Sequence, residues 1–245
     1  RDVKSVVTIH NLAFQGLFPK TLLGALDLPA DYFGRDGFEY WDQISFLKAA
    51  IAYSDHITTV SPTYALEIQS DDGGMGFGGF LRAKSNHLSG ILNGIDLDVW
   101  NPETDADIGA NYSAKASAAK AKNKLALQRD LKLRKDKNAP LFTVISRLTT
   151  QKGLDLLADM TDSIVGNGGQ LALLGSGDAA IEAAFLQAAK KHPTEISVTI
   201  GYDEPLAHRL QAGADAIFIP SRFEPCGLTQ LCAMRYGTVP IVGRV

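Results

Sequence analysis

Between residues 141 and 242, short apolar runs alternate with amphipathic stretches so regularly that few folds can accommodate them. Residues 141–145 read as a buried strand. Leu154, Leu157, Thr161, Ile164 and Val165 then recur at helical spacing, with Gly166 as a stop. A strand at 171–174 leads into a helix whose face carries Ile181, Ala184, Phe185, Ala188 and Ala189. That helix closes on Lys190-Lys191-His192-Pro193, cations and a proline that mark a helix end. Strands follow at 196–200, 216–219 and 239–242, separated by helices at 204–211 and 228–236. Alternation of this kind implies a parallel sheet covered by helices on both faces.

The first part of the chain follows the same plan less regularly. The pattern predicts strands at 3–9, 57–60 and 88–92, and helices at 43–53 and from Thr63. The glycine-dense run 71–79 is expected to be mobile. The pattern is lost after Trp100 and resumes with a polar, Ala/Lys-rich helix over 114–131. The expected organisation is an incomplete α/β domain over 1–96, a linker over 97–113, and a second, also incomplete, α/β domain over 114–245. The absence of an initiator methionine and the abrupt ends read as a piece of a longer protein, cut at both ends.

Composition narrows the function classes. The chain is 45% hydrophobic and 21% charged, as a globular protein should be, and its net charge of -3 suggests neither a nucleic-acid nor an anionic-membrane partner. No apolar run approaches the roughly 20 residues that span a bilayer. Cys226 and Cys232 are the only cysteines, which fits a reducing cytoplasm better than a disulfide framework. The five histidines show no metal-ligand spacing, so no metal is expected.

Polar residues follow the carboxyl ends of the predicted strands: His10-Asn11, Ser61, Asn93, Ser146-Arg147, Gly175, Gly201-Tyr202 and Glu224. Ligands of open α/β sheets bind outside those ends, and two such sheets facing each other would enclose a cleft. In Ser221-Arg222-Phe223-Glu224-Pro225-Cys226-Gly227-Leu228-Thr229-Gln230 a carboxylate sits just before a glycine-started helix. Unpaired N–H groups at a helix start suit an anion, so the ligand should carry both hydroxyls and phosphates, as a nucleotide sugar does. Glu224 could instead cap that helix. Arg147 and Lys152 lie on a strand-to-helix loop, where two cations make sense if an anion joins them; the alternative is a pair of solvated surface charges.

Other signals carry two readings each. Gly175-Ser176-Gly177-Asp178-Ala179-Ala180 matches a dinucleotide fingerprint, but the acid that fingerprint requires, Glu195, precedes its strand instead of ending it. A close-packed turn beside a nucleotide is the better reading. His10 could be a general base, a ligand contact or a core histidine. Tyr202 could stack on a base or cover the sheet edge. Cys226 reads as a small packed residue, since no base pairs with it in sequence.

Taken together, and in this order, several segments resemble the bacterial glycogen synthases and plant starch synthases of glycosyltransferase family 5. They are Thr8-Ile9-His10-Asn11-Leu12-Ala13-Phe14-Gln15-Gly16, Gln43-Ile44-Ser45-Phe46-Leu47-Lys48, Thr59-Val60-Ser61-Pro62-Thr63-Tyr64, Leu92-Asn93-Gly94-Ile95-Asp96, Ser146-Arg147-Leu148-Thr149 with Gln151-Lys152-Gly153, Gly201-Tyr202, and 220–230. The resemblance implies the GT-B fold, two Rossmann-like parallel-sheet domains facing a cleft. It implies retaining transfer of glucose from ADP-glucose to the non-reducing end of an α-1,4-glucan such as glycogen, with no cofactor. On that reading Arg147 and Lys152 hold the diphosphate, and Glu224 bonds the donor glucose hydroxyls. His10, Asn11 and Asn93 surround the same sugar, Tyr202 stacks on the adenine, and Cys226, Gly227, Leu228 and Thr229 supply the helix-start contacts.

The chain departs from the family in four places. The Lys-x-Gly-Gly-Leu segment and a later Gly-Gly segment are absent, Cys232 stands where many retaining GT-B enzymes have Glu, as in other members of this family that lack that Glu, and Gly78 stands where this family usually has Glu. The piece alone is therefore expected to be inactive. The competing readings are a GT-B enzyme using UDP-glucose, a non-catalytic α-glucan-binding module and, least supported, a dinucleotide oxidoreductase.

Overall fold

The computed structural model describes residues 3–243. The chain divides into two compact units, with the division between Asn93 and Gly94. In the first unit, β1 (Val6–Ile9) begins a parallel sheet that continues through β5 (His56–Thr59) to β6 (Leu88–Gly90) in the order β1-β5-β6. Between β1 and β5 the chain builds a small antiparallel sheet from β2 (Leu17–Pro19), β3 (Glu39–Tyr40) and β4 (Gln43–Ser45), with β4 in the middle. The helix expected over 43–53 therefore starts later, as α1 (Phe46–Tyr53), because 43–45 pairs with both neighbouring strands and Ser45 then caps the helix by accepting from Lys48 N–H. Two short helices, α2 (Pro62–Glu67) and α3 (Gly78–Ala83), complete the unit. The glycine-dense run is packed into it: Phe77 is buried and Gly78 opens α3.

The second unit is a five-stranded parallel sheet of β7 (Leu141–Ile145), β8 (Gln170–Gly175), β9 (Ile196–Ile200), β10 (Ala216–Ile219) and β11 (Val239–Val242). Its order is β11-β10-β7-β8-β9. The first strand of the unit is thus central, with the chain winding outward on one side and then on the other. This is the doubly wound arrangement that the alternation predicts. The connecting helices are α5 (Leu154–Asp159), α6 (Thr161–Gly166), α7 (Ala179–Lys191), α8 (Glu204–Gly213) and α9 (Leu228–Arg235). One core layer gathers Val144, Leu148, Leu157, Leu171, Leu173, Ile181 and Phe185, while the opposite face holds Leu141, Ala172, Leu174, Leu206 and Leu210.

Residues 97–113, expected as a linker, are packed into this second unit. Ile108 and Tyr112 are buried with Ala212 and Tyr236, and the Tyr112 hydroxyl donates to the Tyr236 carbonyl at 2.8 Å. Asp105 holds the segment down: its Oδ2 lies 2.7 Å from His208 Nδ1 and also accepts from the Tyr236 hydroxyl. The His208 ring in turn stacks on Trp100, with centroids 4.0 Å apart. Burial, reinforced by the bond to Asp105, pushes the Tyr236 hydroxyl far above the ordinary tyrosine range, so it stays a donor. Sequence pattern missed this anchor because it consists of polar residues spread over 132 positions, with no periodicity.

The polar helix expected over 114–131 forms as α4 (Lys120–Asp130), preceded by a 3-10 turn at Ser117–Ala119. Its inner face buries Leu127 in the apolar core and, beside it, polar side chains held by hydrogen bonds. Lys124 Nζ meets Asp215 at 2.6 Å, Gln128 meets Gln170 at 2.7 Å, and Lys120 Nζ reaches the Ala212 carbonyl and Thr238 hydroxyl at 3.0 and 2.8 Å. Burial brings the Lys120 ammonium down to about 8. Asp105→Ala is expected to lower the unfolding free energy by about 2–3 kcal/mol, since it leaves His208 and Tyr236 buried without their shared acceptor. Urea denaturation followed by fluorescence measures this; a change within about 0.5 kcal/mol would show that the segment is held by apolar packing alone.

Candidate active site

In the second unit the strand order reverses at β7: β8 leaves on one side and β10 pairs on the other. The crevice between the carboxyl ends of β7 and β10 is where a doubly wound sheet binds its ligand. The β7–β10 ladder pairs only Phe142 with Ala216 and Thr143 with Ile217, so the two strands part before their ends. The loops that follow, 146–153 and 220–227, form the walls of the crevice.

Lys152 and Glu224 meet there. Lys152 Nζ lies 2.9 and 2.7 Å from the two Glu224 carboxylate oxygens, and the Ser221 hydroxyl donates to Oε2 at 2.7 Å. Their side chains are only 20% and 14% exposed, so the pair is shielded enough for its charges to matter and open enough for a ligand to reach. Removing either partner would strand the other's charge in a partly dry site. Glu224 does not cap α9: the cap position is Gly227, in the left-handed region at φ 76°, and no side chain among the described residues caps that helix start. The helix-start N–H groups of Leu228 and Thr229 thus stand on the loop that carries Glu224. Arg147 is exposed on the same edge, one loop across.

The loops approach each other closely. Gly153 lies in the left-handed region at φ 66°, and a Cβ there would stand 1.9 Å from the Pro220 carbonyl oxygen, so only glycine fits. Gly177 plays a similar part behind β7: a Cβ would meet the Leu148 carbonyl oxygen at 2.4 Å. Leu148 N–H donates to the Ser176 carbonyl at 2.9 Å and Asp178 N–H returns to the Leu148 carbonyl at 2.8 Å, which lengthens the sheet by one bridge. The glycine fingerprint is thus a close-packed turn. Glu195 lies before β9, at the amino edge of the sheet, away from these loops.

Beside the crevice lies a pocket of about 330 Å³, lined by Trp100, Ile145, Tyr202, Ala207, Thr229 and Cys232 among others. Tyr202 does not cover the sheet edge: it is 86% exposed, its hydroxyl bonded to Glu204 at 2.9 Å. Cys226 is half-buried, and Cys232 is buried, its thiol pushed up to about 11 by desolvation.

In the first unit, His10 follows β1 and is exposed, so it is not a core histidine. Asn11 shapes the turn after it by accepting from Ala13 N–H at 2.9 Å, and the buried Leu12 N–H donates to the Tyr64 hydroxyl at 2.9 Å. Asn93 is half-buried in the coil after β6, and Ser61 caps α2. Asp105, Asp107 and His208 form a cluster of metal-ligand type, with ligand atoms within 4.8 Å of one another. Asp105 Oδ2 is already engaged by His208 and Tyr236, which makes this the anchor described above.

Comparison with known proteins agrees along the whole chain. The family model "Starch synthase catalytic domain" matches residues 1–83, and "Glycosyl transferases group 1" matches 128–245. Glycogen synthase from Rhodopseudomonas palustris is 59% identical over 242 residues, 99% of this chain and 50% of its own. Glycogen synthase from Francisella tularensis subsp. novicida is 53% identical over 246 residues, 100% of this chain and 50% of its own. The catalytic domain of starch synthase IV from Arabidopsis thaliana, solved bound to ADP and acarbose, superposes with a TM-score of 0.92 at 38% identity. That match covers 98% of this chain and 50% of the plant chain. The chain spans about half the length of the curated relatives it matches.

A thiolate is scarce in the folded protein at Cys232, because its pKa lies well above neutrality. Iodoacetamide at neutral pH should therefore leave Cys232 unmodified until denaturant is added, as peptide mass mapping would show. Rapid modification in the native protein would contradict the burial described.

Proposed function

The chain belongs to the glycogen and starch synthases, and from that premise we propose that it forms part of an ADP-glucose-dependent α-1,4-glucan glucosyltransferase. The observation that carries the reading is the Lys152–Glu224 pair in the crevice beside the Gly227-started helix. A cation, a carboxylate and unpaired helix-start N–H groups are what a sugar diphosphate requires: charge for the phosphates and an acceptor for the hydroxyls.

In this proposal Lys152 and Arg147 bind the diphosphate and stabilise the charge that grows on it as the glycosidic bond breaks. Leu228 and Thr229 at the helix start, with Gly227 and Cys226 before them, contact the phosphates. Glu224 accepts from donor glucose hydroxyls; the bonds from Ser221 and Lys152 fix its orientation. Tyr202 offers an exposed ring to the adenine. His10, Asn11 and Asn93 are assigned to the donor sugar from the first unit. The chemistry needs no protein nucleophile: the acceptor hydroxyl attacks from the face the diphosphate leaves, and the departing phosphate takes its proton, which retains the anomeric configuration. No cofactor or metal enters, since the two cations serve the diphosphate. The partners are ADP-glucose and an α-1,4-glucan.

The test is glucose transfer to glycogen by the protein in its full natural length, with ADP-glucose and UDP-glucose offered in competition. Transfer from ADP-glucose should dominate. Glu224→Ala should cut turnover by at least about tenfold, or 1.4 kcal/mol of barrier. Preference for UDP-glucose would overturn the donor assignment. Glycogen binding without transfer would overturn the enzyme reading.

A further inference from the structure

The parting of β7 and β10 leaves a mechanical gap. Ladder hydrogen bonds normally hold adjacent strands in register, but here they stop at Ile217, well before Lys152 and Glu224 on the loops beyond. Something else must keep those two side chains within 2.9 Å of each other.

Arg222 fills the gap. Its backbone N–H donates to the Gln151 carbonyl at 2.9 Å, and its guanidinium donates to the Thr150 carbonyl. The same guanidinium grips both Asp155 carboxylate oxygens at 2.7 Å each. One residue of the β10 loop, two positions before Glu224, therefore bonds three residues that bracket Lys152 in sequence. The close approach of Gly153 to Pro220 closes the same seam from below. We propose that Arg222 and Asp155 are a latch that sets the spacing of Lys152 and Glu224, acting as positioning residues for the transfer reaction proposed above, on which this inference rests.

The choice of arginine has a geometric reason. A planar fork can hold a carboxylate with two parallel bonds and still reach a carbonyl, whereas a lysine offers one point of attachment. An exposed pair of this kind adds little to overall stability, because solvent screens it. Its loss should therefore appear in catalysis more than in folding: a small displacement of one reacting group relative to another can cost a large factor in rate.

The test uses the protein in its full natural length and four variants: Arg222→Ala, Asp155→Ala, the double variant, and Arg222→Lys. Each alanine variant is expected to lower kcat by about 10- to 100-fold while KM for glycogen stays within about threefold. The double variant should be no worse than the poorer single one, because both break one latch. Arg222→Lys should recover part of the rate. The melting temperature should move by no more than a few degrees, which separates positioning from unfolding. Single variants with kcat within about twofold of the natural enzyme, or losses that multiply in the double variant, would overturn the latch. If the natural enzyme fails to transfer glucose at all, the functional reading fails instead. ADP binding by calorimetry then decides the latch alone, with weakening in both alanine variants for it and unchanged affinity against it.

Discussion

The parting of two strands governs the second unit. Because β7 and β10 pair only over their first residues, the carboxyl edge of the sheet opens where the chain reverses its winding. A closed ladder there would leave no room for a ligand. An opened one needs its loops tied by other means, and the chain supplies a left-handed glycine, a forked guanidinium and a half-buried ion pair. The site is therefore a consequence of sheet topology, with side chains added to hold its walls.

Charge follows the same logic. Lys152 and Glu224 neutralise each other in the crevice, which avoids an isolated charge in a half-buried place. A diphosphate can share Lys152 while glucose hydroxyls donate to Glu224, so binding replaces one set of polar contacts with another and leaves neither group unsatisfied. The anchor at Asp105, His208 and Tyr236 does comparable work at the back of the unit. It fixes residues 97–113 against α8 and α9, and with them Trp100 in the pocket wall.

Much of this was legible in the sequence because apolar periodicity is local. The strands of the second unit at Ile196–Ile200, Ala216–Ile219 and Val239–Val242 lie where the pattern places them, and the polar residues after the strand ends lead to the crevice. What the pattern missed depends on distant partners. Residues 43–45 read as helix because Gln, Ile and Ser say nothing of the two strands they will join. Residues 97–113 read as linker because their anchor is three polar side chains from three separate segments. Arg222 and Asp155 escape a local pattern because they stand 67 positions apart and meet only in the folded chain. His10 shows the converse: position left a core role open, and its exposure removes it.

The central claim is that the crevice between β7 and β10 receives a nucleotide diphosphate sugar through Lys152 and Glu224. The most direct test is a crystal structure of the protein in its full natural length with ADP. The account predicts diphosphate oxygens within about 3.2 Å of Lys152 Nζ and of the α9 helix-start N–H groups, with adenine against Tyr202. ADP bound elsewhere, with the Lys152–Glu224 pair undisturbed and the crevice unfilled, would contradict it.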